Sequence, residues 1–138
     1  MKRAVLAFLA GFVATLAFHQ PVLWLFHALK WTDRLPYAMK AVPPFGVPSV
    51  ISLAFWGGVW GVIMIPLIAR ARGGAYWLAA IAFGAVLPTL VAAFVVAPLK
   101  GVNPAAGGHA GKMLLLGLSV NGAWGLGTAL LNRLFGGK

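Results

Sequence analysis

The side chains best suited to chemistry are four polar residues inside otherwise apolar sequence: His19, Gln20, Thr89 and Asn121. An imidazole carries protons, and amides and hydroxyls bind ligands or hydrogen-bond one another. Two interpretations fit this set. One is a hydrogen-bonded latch that fixes helix register, which we favour. The other is a proton or ligand site, because ionisable residues inside a membrane often mark pathways. Contact with a partner protein is a third alternative.

The elements that must position these residues are four stretches without Asp, Glu, Lys or Arg. They cover 4–29, 41–69, 73–99 and 113–132, and are 26, 29, 27 and 20 residues long. A helix needs roughly 20 apolar residues to cross a bilayer core. We therefore predict an all-α, polytopic membrane protein with one domain over 1–138. Its four transmembrane helices form an up-down bundle, with spans at about 4–29, 49–69, 76–99 and 113–135.

Composition supports the membrane class. The chain is 62% hydrophobic and 9% charged, with a mean hydropathy of +0.94. A soluble domain has about a quarter of its residues charged. The N-terminal run resembles a signal peptide, but it stays apolar as far as Leu29, so we expect a retained first span. Trp24, Trp31 and Tyr37 fit an aromatic belt at the membrane interface.

The charge balance indicates lipid as the partner. The net charge is +10, from eleven Lys and Arg residues against one acid, Asp33. The basic residues lie mostly at the ends of the spans, where they suit anionic lipid headgroups rather than nucleic acid. The headgroup contacts expected on the side of the termini are Lys2, Arg3, Arg70, Arg72 and Arg133. With Lys138, six basic residues lie on that side against five on the other, and the dense Arg70-Ala71-Arg72 turn favours both termini in the cytoplasm of a bacterial inner membrane.

Depth can be estimated by taking span centres near Ala17, Val59, Leu87 and Ala123. At 1.5 Å per residue, His19, Thr89 and Asn121 then lie about 3 Å from the midplane on the same side. Gln20 is beside His19, and Gly57 falls at the same level. The sequence therefore predicts one polar layer near the midplane.

Glycines indicate where helices pack. Lipid solvates apolar side chains well, so helix association depends on close backbone approach. Gly57 and Gly61 share one face of the second span, while Gly117 and Gly125 share a face of the fourth. We expect these two spans to pack together. Trp60 and Trp124 lie too deep for the belt, so their indole N–H groups need partners inside the protein.

An internal repeat is a further hypothesis. Span two contains Gly58-Val59-Trp60-Gly61, and span four contains Gly122-Ala123-Trp124-Gly125, 64 positions later. Two duplicated two-helix hairpins, 1–72 and 73–138, would lie in parallel orientation. A chance match of residues that are common in membrane helices is the alternative.

Enzymatic signatures are weak. The chain has no cysteine and no pair of acids for general acid–base work. His19 and His27 lie on one helix and cannot bind one haem iron from opposite sides, so a bis-histidine haem would need a dimer. No metal-binding spacing links His27, Asp33 and His109. We predict no enzyme activity, no cofactor and no metal.

Two classes of function remain. The first is a non-enzymatic accessory or scaffold subunit, acting within a membrane complex or a homo-oligomer. The alternative is a small oligomeric transporter or channel, with a midplane polar site around His19 and Asn121. Helix-breaking prolines near that layer, Pro21 and Pro88, are the reason to keep it.

Overall fold

The computed structural model describes residues 1–103, 108 and 110–136. Over these residues the protein is all-helical, and four helices are long and apolar enough to cross a membrane. They are α1 (Lys2–Ala28), α2 (Ser49–Ile68), α3 (Gly74–Leu99) and α4 (Ala110–Leu134). The connection between α1 and α2 adds a short antiparallel pair, β1 (Ala41–Val42) and β2 (Val47–Pro48). The helix bounds agree with the predicted spans to within three residues.

Two of the helices contain a π-helical turn just before a proline. The turns cover Thr15–His19 in α1 and Ala92–Val96 in α3, and Pro21 and Pro98 follow two residues later. Proline has no N–H to donate, so it removes one hydrogen bond from the helix ladder. The wider turn takes up the irregularity, and each helix continues past its proline instead of ending there.

The first pair of helices, α1 and α2, meets backbone to backbone. A Cβ atom on Gly61 would lie 2.5 Å from the carbonyl oxygen of Ala7, and one on Gly11 would overlap the carbonyl of Gly57. Real Cβ atoms do not approach that closely. The absence of side chains on Gly11, Gly57 and Gly61 is therefore what allows the two helices to touch.

The second pair, α3 and α4, makes the same kind of contact. A Cβ atom on Gly84 would lie 2.5 Å from the carbonyl oxygen of Asn121, and one on Gly125 would overlap the carbonyl of Ala80. Spans two and four were expected to pack together through these glycines, but they touch only narrowly, where Gly57 lies beside Trp124. The glycines of α2 face α1, and Gly125 faces α3.

The main core joins all four helices. It contains Ala7, Ala14, Met64, Ile65, Ile68, Tyr76, Ala80, Trp124 and Ala129. Contact between α1 and α4 is extensive and links the two helix pairs. Contact between α2 and α3 is smaller and includes an edge-to-face pair of rings, Trp60 and Phe83, at 6.1 Å between centroids. This core fixes the positions of the polar residues.

Candidate functional site

Thr89 and Asn121 form a direct polar contact between α3 and α4. The Asn121 side-chain amide donates a hydrogen bond to the Thr89 hydroxyl at 2.9 Å. Thr89 is buried, and Gly117, one turn before Asn121, leaves room for it. A Cβ atom on Gly117 would lie 2.8 Å from Thr89 Cγ2. Three of the residues singled out from the sequence therefore meet in one contact.

His19 and Gln20 belong to a different contact. The Gln20 amide nitrogen lies 3.0 Å from His19 Nδ1, and its carbonyl oxygen accepts the backbone N–H of Tyr37 at 2.6 Å. The Tyr37 N–H fixes which way the amide points, so the NH₂ group faces the imidazole. Nδ1 of His19 must then accept, which places the proton of the neutral ring on Nε2. The expected polar layer is thus divided between two separate contacts.

Tyr37 anchors the long connection against the side of α1. Its hydroxyl donates to the carbonyl oxygen of Leu16 at 2.7 Å. In the π-helical register this carbonyl would bond to residue 21, but Pro21 has no N–H, so the tyrosine supplies the missing donor. Gln20 lies eight residues, or about 12 Å, before the last residue of α1. The connection therefore folds back along the helix, a contact that sequence reasoning missed.

Three helices meet at the carbonyl oxygen of Gly11. It accepts hydrogen bonds from the Thr15 hydroxyl and from the Trp124 indole N–H, each at 3.0 Å. Both side chains are buried, and a Cβ atom on Gly57 would lie 3.1 Å from the indole nitrogen. Trp124 thus has the interior partner that its depth requires. Sequence reasoning missed Gly11 and Thr15; the small-residue spacing Ala7-x-x-x-Gly11 was the available signal.

A cavity of about 390 Å³ lies where the end of α2, the start of α3 and the end of α4 meet. Its lining consists of Ile65, Ala69, Ala71, Tyr76, Asn132, Arg133 and Gly136. The Arg133 guanidinium carbon lies 3.8 Å from the centre of the Tyr76 ring and 5.0 Å from that of Trp77. The Tyr76 hydroxyl donates to the carbonyl oxygen of Ala129 at 3.1 Å. Neither Tyr76 nor Asn132 was predicted to be part of a site.

The other basic residues expected at headgroups, Lys2, Arg3, Arg70 and Arg72, are exposed at the start of α1 or just beyond the end of α2. A second cavity of about 280 Å³ is lined by residues of the first connection and of α4: Lys30, Trp31, Thr32, Asp33, Lys112, Met113 and Leu116. His27 Nδ1 lies 3.2 Å from the Thr32 carbonyl oxygen. His109 lies outside the described residues, and the part of the chain that is described holds no cluster of three potential metal ligands.

Comparisons with protein-family models, with curated proteins and with solved structures found no match for this chain.

Proposed function

We propose that the protein is a small, non-enzymatic integral membrane protein that acts as an accessory or scaffold subunit of a membrane complex or homo-oligomer. Four helices with the length and apolar character of membrane spans support insertion. Large apolar side chains are widely exposed on these helices, among them Leu53, Trp56 and Phe94. Lipid chains and partner helices are the surroundings that accept such surfaces without cost.

The observation that carries the proposal is the pairing of polar groups within and between the helices. Asn121 bonds to Thr89, and both Thr15 and Trp124 bond to Gly11. Groups that satisfy one another stabilise a fixed helix arrangement and leave little free hydrogen-bonding capacity for a substrate. The transporter alternative needs His19 and Asn121 in one site, yet each of them bonds a different partner. We therefore favour action through the outer surface of the protein.

We assign the contact with a neighbouring subunit to the exposed face of α3, because α3 is the least buried of the four helices. The chain has no cysteine, so single cysteines can be introduced without a background. Leu78→Cys on α3 and Leu67→Cys on α2 form a matched pair, with 69% and 64% of their side chains exposed. Thiol cross-linking in membranes should give an adduct of defined mass at position 78 and much less at position 67. No adduct at position 78 would contradict the proposed surface.

We further propose that the helices form an up-down bundle built from two duplicated hairpins. The contacts of Gly61 with Ala7 and Gly11 resemble those of Gly125 with Ala80 and Gly84. The matching residues are 73 positions apart in the first helix of each pair and 64 apart in the second. Each first helix also carries a π-helical turn that ends two residues before a proline, although these turns are 77 positions apart (92 − 15). These similarities support duplication more strongly than the four-residue sequence match does.

For the location, we propose a bacterial inner membrane with both termini in the cytoplasm. The support is the short basic turn from Arg70 to Arg72 together with Lys2, Arg3 and Arg133. Basic residues in short loops next to a span remain on the cytoplasmic side. In this arrangement these side chains meet anionic lipid headgroups.

A further inference from the structure

The cavity between α2, α3 and α4 contains a cation, Arg133, that has no carboxylate partner among the described residues. Arg133 stacks over the rings of Tyr76 and Trp77, which hold its guanidinium group in one place. The single acidic side chain of the sequence is Asp33, in the connection after α1 and on the lining of the second cavity. An arginine that is positioned in advance, with no carboxylate beside it in the described part of the chain, is suited to an anion from outside the protein, phosphate above all.

A side chain on the wall of the same cavity carries a buried acceptor that needs a donor. Asn132 lines the cavity and is only 3% exposed, and its Oδ1 atom has no hydrogen-bond partner among the described residues. A buried polar atom without a partner costs free energy unless something binds to it. Because Oδ1 accepts hydrogen bonds, its partner must be a donor such as a hydroxyl or ammonium group, and not a second negatively charged group.

Together these features describe a ligand with an anionic group and a hydrogen-bond donor a few bonds away. Tyr76 belongs to the first turn of α3, so the cavity lies near the positive end of that helix dipole, which also favours negative charge. Leu67 and Leu134, in the end turns of α2 and α4, are each at least 64% exposed and provide apolar surface for acyl chains. A phospholipid combines all three parts in one molecule.

We infer that this cavity binds one phospholipid headgroup, with the phosphodiester on Arg133 and a headgroup hydroxyl or ammonium on Asn132 Oδ1. This inference rests on the proposed membrane insertion. It goes beyond general attraction to anionic lipid, because it names one stoichiometric site and a preference among headgroups. Arg70 and Arg72 attract lipid only through their charge and do not line the cavity.

The test uses native mass spectrometry of the whole protein in detergent, with phosphatidylglycerol titrated against phosphatidylmethanol of the same acyl chains. Both lipids carry one phosphodiester charge, but only the glycerol headgroup has hydroxyl donors. The expected result is one bound phosphatidylglycerol, preferred by about fivefold to tenfold over phosphatidylmethanol. Equal binding of the two lipids to the unmodified protein would overturn the assigned role of Asn132.

Variants distinguish lipid binding at this cavity from general attraction of lipid to the positive charge of the protein. Arg133→Gln should weaken phosphatidylglycerol binding by at least about tenfold. Arg72→Gln removes the same charge near the same cavity and should leave binding within about twofold. Equal weakening by both changes would overturn the site. Asn132→Leu should abolish the preference between headgroups while phosphatidylmethanol binding remains, and a retained preference counts against the inference.

A competition experiment distinguishes a lipid from a soluble phosphate ester. Deacylated glycerophosphoglycerol at millimolar concentration should not displace the bound lipid, because it lacks the acyl chains that rest on the apolar surface. Displacement at that concentration would assign the cavity to a soluble ligand and overturn the lipid assignment. The same spectra report the number of protein copies, so loss of the lipid and loss of an oligomer are separate results.

Discussion

The indole N–H of Trp124 donates to the carbonyl oxygen of Gly11 at 3.0 Å and so ties the last helix to the first. Trp124→Phe removes the donor and keeps an aromatic ring. We expect the free energy of unfolding to fall by about 1 kcal/mol, the usual net contribution of one hydrogen bond. Unfolding in mixed lipid and dodecyl sulfate micelles measures this change. Trp56→Phe, at a side chain that is 57% exposed, is the control and should change stability by less than about 0.5 kcal/mol. Equal losses of unfolding free energy in Trp124→Phe and Trp56→Phe would show that this hydrogen bond makes no special contribution to stability.

Glycine substitutions should differ in sign according to what the added Cβ meets. Gly61→Ala and Gly125→Ala each place a methyl group against a backbone carbonyl of the neighbouring helix, and we expect each to destabilise the protein by about 2 kcal/mol. Gly111→Ala is the matched control, since it lies within α4 and no described residue comes within 4 Å of the new atom. It should stabilise the protein by up to about 1 kcal/mol through helix propensity. The same unfolding assay measures all three changes, and a neutral Gly61→Ala would contradict the close approach of α1 and α2.

The tyrosine that holds the first connection should be energetically coupled to the proline beneath it. Tyr37→Phe leaves the carbonyl oxygen of Leu16 without its donor and should cost about 1 kcal/mol. In a Pro21→Ala background the restored backbone N–H supplies a donor, so the cost of Tyr37→Phe should be smaller by at least about 0.5 kcal/mol. Hydrogen exchange of residues 37–40 gives an independent measure, because these amides should lose protection in Tyr37→Phe. Equal costs in the two backgrounds would show that the tyrosine does not replace the missing donor.

The orientation in the membrane can be tested with the cysteine-free chain. Arg72→Cys and Lys100→Cys introduce exposed thiols at the two ends of α3. A thiol reagent that cannot cross the membrane, applied to intact cells, should label position 100 and spare position 72, because the basic turn stays inside. Permeabilised cells should label at both positions. Labelling at position 72 alone in intact cells would reverse the proposed orientation.

The spans could be predicted closely because a long apolar run without charge is a local property of the sequence. The contact between Thr89 and Asn121 was within reach, because both belong to the same long hairpin and counting residues compares their depths. Gly57 shows where counting fails. Gly57 was expected at the level of His19. It packs instead against Gly11, which lies eight residues, and so about 12 Å, before His19 along α1. Assuming a common midpoint for spans of different length introduced that error.

Other features could not be predicted from the sequence, because they depend on contacts between residues far apart in the chain. Glycine spacing indicates that a helix will be approached closely, but it does not identify the approaching helix, and so α2 was paired with α4 instead of α1. The contact of Tyr37 with Gln20 joins a loop to the middle of a helix, and no local pattern predicts it. Arg133 was recognised only as a charge at a span end, whereas its position depends on the Tyr76 and Trp77 rings, more than 50 positions earlier.

The central claim is that this protein acts as a subunit through its outer surface, and its mass in the native membrane tests that claim most directly. Membranes extracted into polymer-bounded nanodiscs without detergent keep neighbouring subunits together, and native mass spectrometry then gives the stoichiometry of the particle. We predict a fixed assembly larger than the 14.5 kDa chain, composed either of several copies or of this chain with another membrane polypeptide. A particle that contains a single copy and no other polypeptide, at native expression levels, would contradict the proposed function.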